Sequence, residues 1–278
     1  MERINSKAPL TKKIEHIYKE LGKNWRDKIW WKGRFIHYIV GGYYRRRPNR
    51  GVYVMEEDWD NLIILDTCRY DTFVEVTGMN VDYRISRGLS TPKFLRESFV
   101  NCKFNDAVYV TTNPWVGILC GNYALRVGEE CPDKRLIIHF LQPHWWYISD
   151  PKLAKYVADN HSHGEIVGNP WVPVEKGVFD LTRVYSSHKR DLKLAYRHVL
   201  QLIKKLTGKT AITADSEAFG ERGFGVRILG HPSNIHKPAL VKVPWVVFDS
   251  KERREIKEGD EKQKLKYYIR KLREKSKI

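Results

Sequence analysis

NLIILDTCRYD, from Asn61 to Asp71, is an apolar run stopped by an acid. Leu62 to Leu65, with Asn61 leading in, is short, rich in Ile and Leu, and closed by polar residues. That pattern predicts a strand buried on both faces. In an open α/β sheet, ligands bind beyond the carboxyl ends of the strands, which puts Asp66 where chemistry is done. Asp66 equally suits capping a helix that starts near Arg69. Spacing alone leaves both readings standing.

Downstream, short apolar runs alternate with helical patterns. Strands are predicted over Leu62–Leu65, Tyr83–Ser86, Ala107–Thr111, Leu136–Leu141, Thr210–Ala214 and Trp245–Asp249. Helices are predicted near Arg69–Thr77, Pro92–Phe99, Pro114–Cys120, Pro151–Asp159 and Lys189–Leu206, the last with an amphipathic stripe. Such alternation argues for an α/β protein whose mostly parallel central sheet carries helices on both faces, a three-layer sandwich. The chain divides into a basic, aromatic extension (1–55), the α/β domain (56–250) and a charged tail (251–278), helical around Lys262–Leu272.

The 278 residues suffice for one large, well-buried domain. A formal net charge of +17 suits a surface that meets nucleic acid, anionic lipid or phosphorylated substrates, and charge does not choose among them. Cys68, Cys102, Cys120 and Cys131 form no CxxC pair and no zinc-ligand spacing, as expected of reduced thiols in a cytoplasmic protein. The polar amino terminus does not read as a signal peptide, and no apolar run is long enough to span a bilayer. A cytoplasmic location follows as the expectation, peripheral to the inner face of a membrane.

The extension sets Trp25, Trp30, Trp31, Phe35, Tyr38, Tyr43 and Tyr44 among Lys28, Lys32, Arg34 and Arg45 to Arg47. Rings beside cations suit an anionic membrane interface. They also suit stacking on single-stranded nucleic acid, the lesser expectation, or a helix that packs its rings on the main domain. Gly41-Gly42 and the RRRPNRG stretch read as a break and a linker.

Polar residues cluster after the strands. Ser90-Thr91-Pro92 follows the second, where a helix N-cap is expected and where a nucleophile would gain from the helix amino terminus. His144 follows the fourth strand, within Gln142 to Tyr147. Asp215-Ser216-Glu217 follows the fifth, with Glu221 and Gly230-His231-Pro232 beyond. Two acids at the ends of separate strands, with histidine nearby, are the ingredients of a divalent-metal site.

The order IILDTCRYD, STP, FLQPH, ITADSEAFGE, GHP and VPWVVFD resembles the alkaline phosphatase and sulfatase superfamily, in its sulfatase-like branch found near surface-glycan genes of archaea and bacteria. The resemblance spans Asp58 to Asp249 and implies an alkaline-phosphatase-like fold. It implies one or two divalent ions (Mg²⁺, Mn²⁺, Ca²⁺ or Zn²⁺) held by Asp66 and Asp215. The nucleophile falls on Ser90, itself a metal ligand, with Thr91 as second choice. The Arg of the formylglycine motif is missing, since Lys93-Phe94 follows Pro92, so a plain hydroxyl is expected. The family writes Asp-His-Gly-Glu where this chain has Asp215-Ser216-Glu217, so Ser216 or a neighbour would replace a histidine ligand.

On this reading Arg69, Arg87, His144 and His231 bind the transferring group. The implied activity is a phosphate- or sulfate-ester hydrolase or phosphotransferase, acting on a phosphorylated or sulfated substrate, on a glycan or lipid-linked. The alternative is a non-catalytic scaffold with a degraded metal site.

Overall fold

The computed structural model describes residues 9–47, 49–99, 105–111, 127–160, 171–216, 222–223, 225–230, 235–250 and 252–257. The sequence-predicted helices at Pro114–Cys120 and Lys262–Leu272 lie outside the described residues. Strands are β1 (Asn61–Leu65), β2 (Asp82–Ile85), β3 (Ala107–Thr111), β4 (Arg135–Phe140), β5 (Thr210–Thr213), the short hairpin β6 (Arg222–Gly223) and β7 (Val226–Arg227), and β8 (Lys242–Phe248). Helices are α1 (Leu10–Asn24), α2 (Lys28–Phe35), α3 (Gly41–Arg45), α4 (Tyr70–Thr77), α5 (Thr91–Phe99), α6 (Pro151–Asp159), α7 (Trp171–Glu175), α8 (Leu181–Ile203) and α9 (Pro238–Val241).

Six strands form one sheet in the order β2-β8-β5-β1-β4-β3. β5, β1, β4 and β3 run parallel, and β8 is antiparallel to both of its neighbours. The acid-stopped apolar run is the strand between β4 and β5, and each of its residues is buried. Because side chains alternate along a strand, it feeds two cores at once. Ile63 and Leu65 join Phe73 of α4 and Leu192, Val199 and Leu202 of α8 on one face. Leu62 and Ile64 join Phe94 of α5, Trp59 and Trp245 on the other. Full burial of each such side chain is worth about 2 kcal/mol. The molecule is therefore a three-layer α/β sandwich with a mostly parallel central sheet.

The helices follow local rules. α4 stops at Gly78, whose φ of 68° is the left-handed conformation that ends a helix most cheaply without a Cβ. α8 starts eight residues before the predicted Lys189, because Asp180 caps it by accepting from the Thr182 amide at 3.1 Å. Val184, His188, Leu192, Ala195, Val199 and Leu202 make its buried stripe. Gly41 and Gly42 do not break the chain as expected. They open α3 directly after a π-helical turn (Ile36–Val40), and Gly41 is buried there. Just after them, Asn49 Nδ2 donates to the carbonyls of Ser86 and Arg87 and so ties this stretch to the end of β2.

At the amino-terminal edge of the sheet, residues 252–257 lie across the strand starts. Arg253 grips Asp60 Oδ2 at 2.6 Å and Asp58 Oδ1 at 2.7 Å. Asp60 is buried, and the Lys209 amide also donates to its Oδ2 at 2.7 Å. Arg254 donates to the carbonyls of Thr207 and Lys134. Removing a charged partner from a buried acid is costly, although Arg253 is itself half exposed. Arg253→Ala should cost about 2 kcal/mol, with Arg253→Lys intermediate because it keeps the charge and loses the fork. Denaturant melts of the three proteins check the order.

Candidate metal centre

Asp66 sits just past β1, Asp215 just past β5, and His139 points from β4 toward them. Their ligand atoms lie within 4.8 Å of one another, and all three residues are buried. The register explains the meeting. Ile64 of β1 pairs with His139 on one side and Thr213 on the other, so Asp66 and Asp215 each stand two residues beyond a paired position.

Asp66 is not the cap of α4. That helix has Arg69 as its N-cap residue and no side-chain cap, while the Asp71 carboxylate accepts from the Thr72 amide. Asp66 faces instead Thr91, whose Oγ1 lies 3.3 and 3.4 Å from its two oxygens. The same hydroxyl donates to Asp215 Oδ2 at 2.6 Å. Asp215 Oδ1 accepts from the Thr67 amide at 2.9 Å. Thr67 has φ 57°, a conformation a β-branched residue adopts only at a cost. That turn aims its N–H at the carboxylate. The Ser86 hydroxyl donates to the Asp215 carbonyl and accepts from the Gly88 amide, joining the end of β2 to the site.

His139 Nε2 is 3.8 Å from Asp66 Oδ2, and its Nδ1 is 2.6 Å from the Tyr109 hydroxyl. If Nδ1 carries the hydrogen, Nε2 presents its lone pair to the carboxylates, the arrangement of a metal-ligating imidazole. Burial pulls the His139 pKa below its ordinary value, against the charge of Asp215. Burial, and then the charge of Asp215, push Asp66 well above the carboxylate range. Two acids this close and this dry require a proton or a cation between them. Neutral imidazole, two carboxylates and a hydroxyl fit a divalent ion, and mixed nitrogen and oxygen donors suit Zn²⁺ or Mn²⁺.

The other sequence-predicted residues fall around this centre. Ser90 is the N-cap residue of α5, its carbonyl accepting from the Phe94 amide at 2.8 Å. Ser216 is fully buried next to Asp215. Arg69 pairs with Asp71. Arg87 donates from Nε to the Gly51 carbonyl at 3.0 Å and lies over the Tyr53 ring, turned toward the linker. His144 Nδ1 contacts the carbonyl of Trp145. His231, Glu217 and Glu221 lie outside the described residues. His139 and Tyr109 are the functional candidates that the sequence reading missed.

α8 holds the loop that carries His144. Asp191 accepts from the amides of Ile148 and Ser149 at 2.7 and 2.9 Å. Arg183 grips both oxygens of Asp150 at 2.7 and 2.8 Å. His188, buried in the same helix, is lowered to about 3 by burial, with the charges of His144 and Arg69 adding to it.

Two tests follow from this geometry. Hydrogen bonding to Arg183 holds Asp150 at about 2, below its ordinary 3.8. A depressed carboxyl stabilises the fold fully above the unfolded value and loses that stability as pH falls through the folded value, here between about pH 4 and pH 2. Asp150→Asn should flatten stability across that window. Melts of both proteins from neutral pH downward show it. Secondly, a Cβ on Gly88 would lie 2.4 Å from Phe94 Cβ, so Gly88 is what lets α5 approach. Gly88→Ala should cost about 2 kcal/mol, read by denaturant melts.

No protein-family model matches the chain, and no curated protein does. Among solved structures, the chain is similar to the C-terminal periplasmic domain of the phosphoethanolamine transferase EptC from Campylobacter jejuni. The two share 14% identity at a TM-score of 0.40, over 69% of this chain and 78% of that one.

Proposed function

We propose that the protein is a metal-dependent enzyme that transfers a phosphoryl or sulfuryl group, in the manner of the alkaline phosphatase superfamily, with Thr91 as nucleophile. The observation that carries this is the Thr91 hydroxyl, placed 2.6 Å from Asp215 and 3.3 Å from Asp66 at the first residue of α5. A divalent ion bound by Asp66, Asp215 and His139 would lower the hydroxyl pKa and neutralise charge on the transferring group.

The chain's own residues supply the rest. Asp215 orients Oγ1 by accepting its hydrogen bond. The amino terminus of α5 favours negative charge on that oxygen once its proton leaves. Attack forms the bond from Oγ1 to phosphorus or sulfur and breaks the bond to the leaving oxygen. Water then releases the group in a hydrolase, or an acceptor alcohol takes it in a transferase. His144, on the loop held by α8, and Arg69 are the groups proposed to meet the equatorial oxygens.

The missing histidine after Asp215 favours a scaffold with a degraded site. His139 supports the catalytic reading instead, because it offers an imidazole from the neighbouring strand.

Turnover of p-nitrophenyl phosphate and p-nitrophenyl sulfate, across added divalent ions, tests this. Thr91→Ala should lose at least about a thousandfold in kcat, while Ser90→Ala keeps most of it. Stripping with a chelator should abolish turnover and also lower the melting temperature, which His139→Ala should make insensitive to added ion. The proposal fails if Thr91→Ala turns over normally, or if no ion binds.

A further inference from the structure

We propose that the helices between residues 9 and 47 form a docking surface for an anionic lipid bilayer, lying on the membrane plane.

An amphipathic helix of a globular protein turns its apolar face inward. α1 does not. Ile14, Ile17 and Tyr18, spaced i, i+3 and i+4 on one face, are exposed at 44%, 54% and 72%. Among the described side chains of α1, none is buried. The stretch from α2 through α3 has two apolar sides. One docks on the body, with Phe35, Ile36, Val40 and Tyr44 against Ile228, Ile235 and Leu240, reinforced by Lys32 pairing with Glu175 at 2.7 Å. The other leaves Trp31, Tyr38 and Ile39 in solvent, at 47%, 58% and 57% exposure. Packing on the domain, the bland reading of these rings, therefore accounts for one side only.

Charge names the occupant. Residues 9–47 carry eleven Lys and Arg against three Asp and Glu, a net +8 of the chain's +17. Arg26 lies 4.5 Å over the Trp25 ring and Arg47 lies 3.7 Å over Tyr43, so cations and rings share the exposed side. An anionic interface takes both, with rings at head-group depth and cations on lipid phosphates. A second copy would bring the same +8 against itself. Nucleic acid would stack on the rings but offers nothing to the exposed isoleucines. No described helix is long and apolar enough to cross a membrane, which fits a surface seat. The unit is anchored at the carboxyl edge of the sheet, where Asn49 holds the Ser86 carbonyl and Ser86 holds Asp215.

The test is co-sedimentation of the full chain with vesicles of phosphatidylcholine alone, or with about 30% phosphatidylglycerol added. Binding is expected to the anionic vesicles, weakened by salt. The doubly substituted Ile17→Ser, Ile39→Ser protein should bind about tenfold more weakly with an unchanged melting temperature, since both side chains are exposed. Other results would overturn the proposal. They are no pelleting with anionic vesicles, equal pelleting of the variant, equal pelleting on neutral vesicles, or a dimer that the variant dissociates. Displacement of the vesicles by a single-stranded oligonucleotide at equal phosphate would assign the surface to nucleic acid instead.

Discussion

Two carboxylates in one dry place are the constraint around which this structure is arranged. Asp66 and Asp215 lie within 4.8 Å of each other and of His139, where two unit charges repel by about 3.5 kcal/mol at an effective dielectric near 20. Nothing in local propensity calls for such a pair. It exists because β1 lies between β4 and β5 in a fixed register, so that the three strand ends deliver their residues to one point. A slip of one residue would turn Asp66 to the other face of the sheet and exchange the two cores. The apolar residues of β1, buried toward α4 and α8 on one side and α5 on the other, forbid that slip. Core packing thus holds in place an arrangement that electrostatics opposes.

The turn after β1 shows the same division of labour. Thr67 keeps a left-handed backbone that disfavours its branched side chain, and in return its amide reaches Asp215. Ser86 ties the Asp215 backbone to β2, and Gly88 lets Phe94 bring α5 close. Thr91 arrives at the carboxylates through these backbone devices, with Phe94 one turn further along the same helix packed in the core.

Much of this was legible in the chain, and the reasons for the rest are physical. The strands of the sheet were readable because buried runs such as Leu62–Leu65 and Leu136–Ile138 carry almost no polar residues. α8 was readable only from Lys189, because its first turns bury the polar residues Ser187 and His188, and Ser187 is satisfied by the long-range partner Asp150. Asp66 and Asp215 announced themselves by ending apolar runs. Ser90 and Thr91 could not be separated, because one residue rotates a helical side chain by about 100° and the helix start was uncertain by that much. His139 was invisible for another reason. Within RLIIHF it reads as one polar residue in a buried strand, and only the placement of β4 beside β1 gives it partners.

The two edges of the sheet treat their buried acids differently. At the amino edge, buried Asp60 meets a guanidinium, with Arg253 at 2.6 Å, and the pair closes a structural strap. At the carboxyl edge, Asp66 and Asp215 are met, among the described residues, by a hydroxyl, an amide and an imidazole, all neutral. A chain with fifty Lys and Arg had cations to spare for both edges. An arginine at the second edge would stabilise the fold and fill the site. Buried acids met, among the described residues, by neutral donors, with the Thr91 hydroxyl between them, are the arrangement expected where the balancing charge comes from outside the chain.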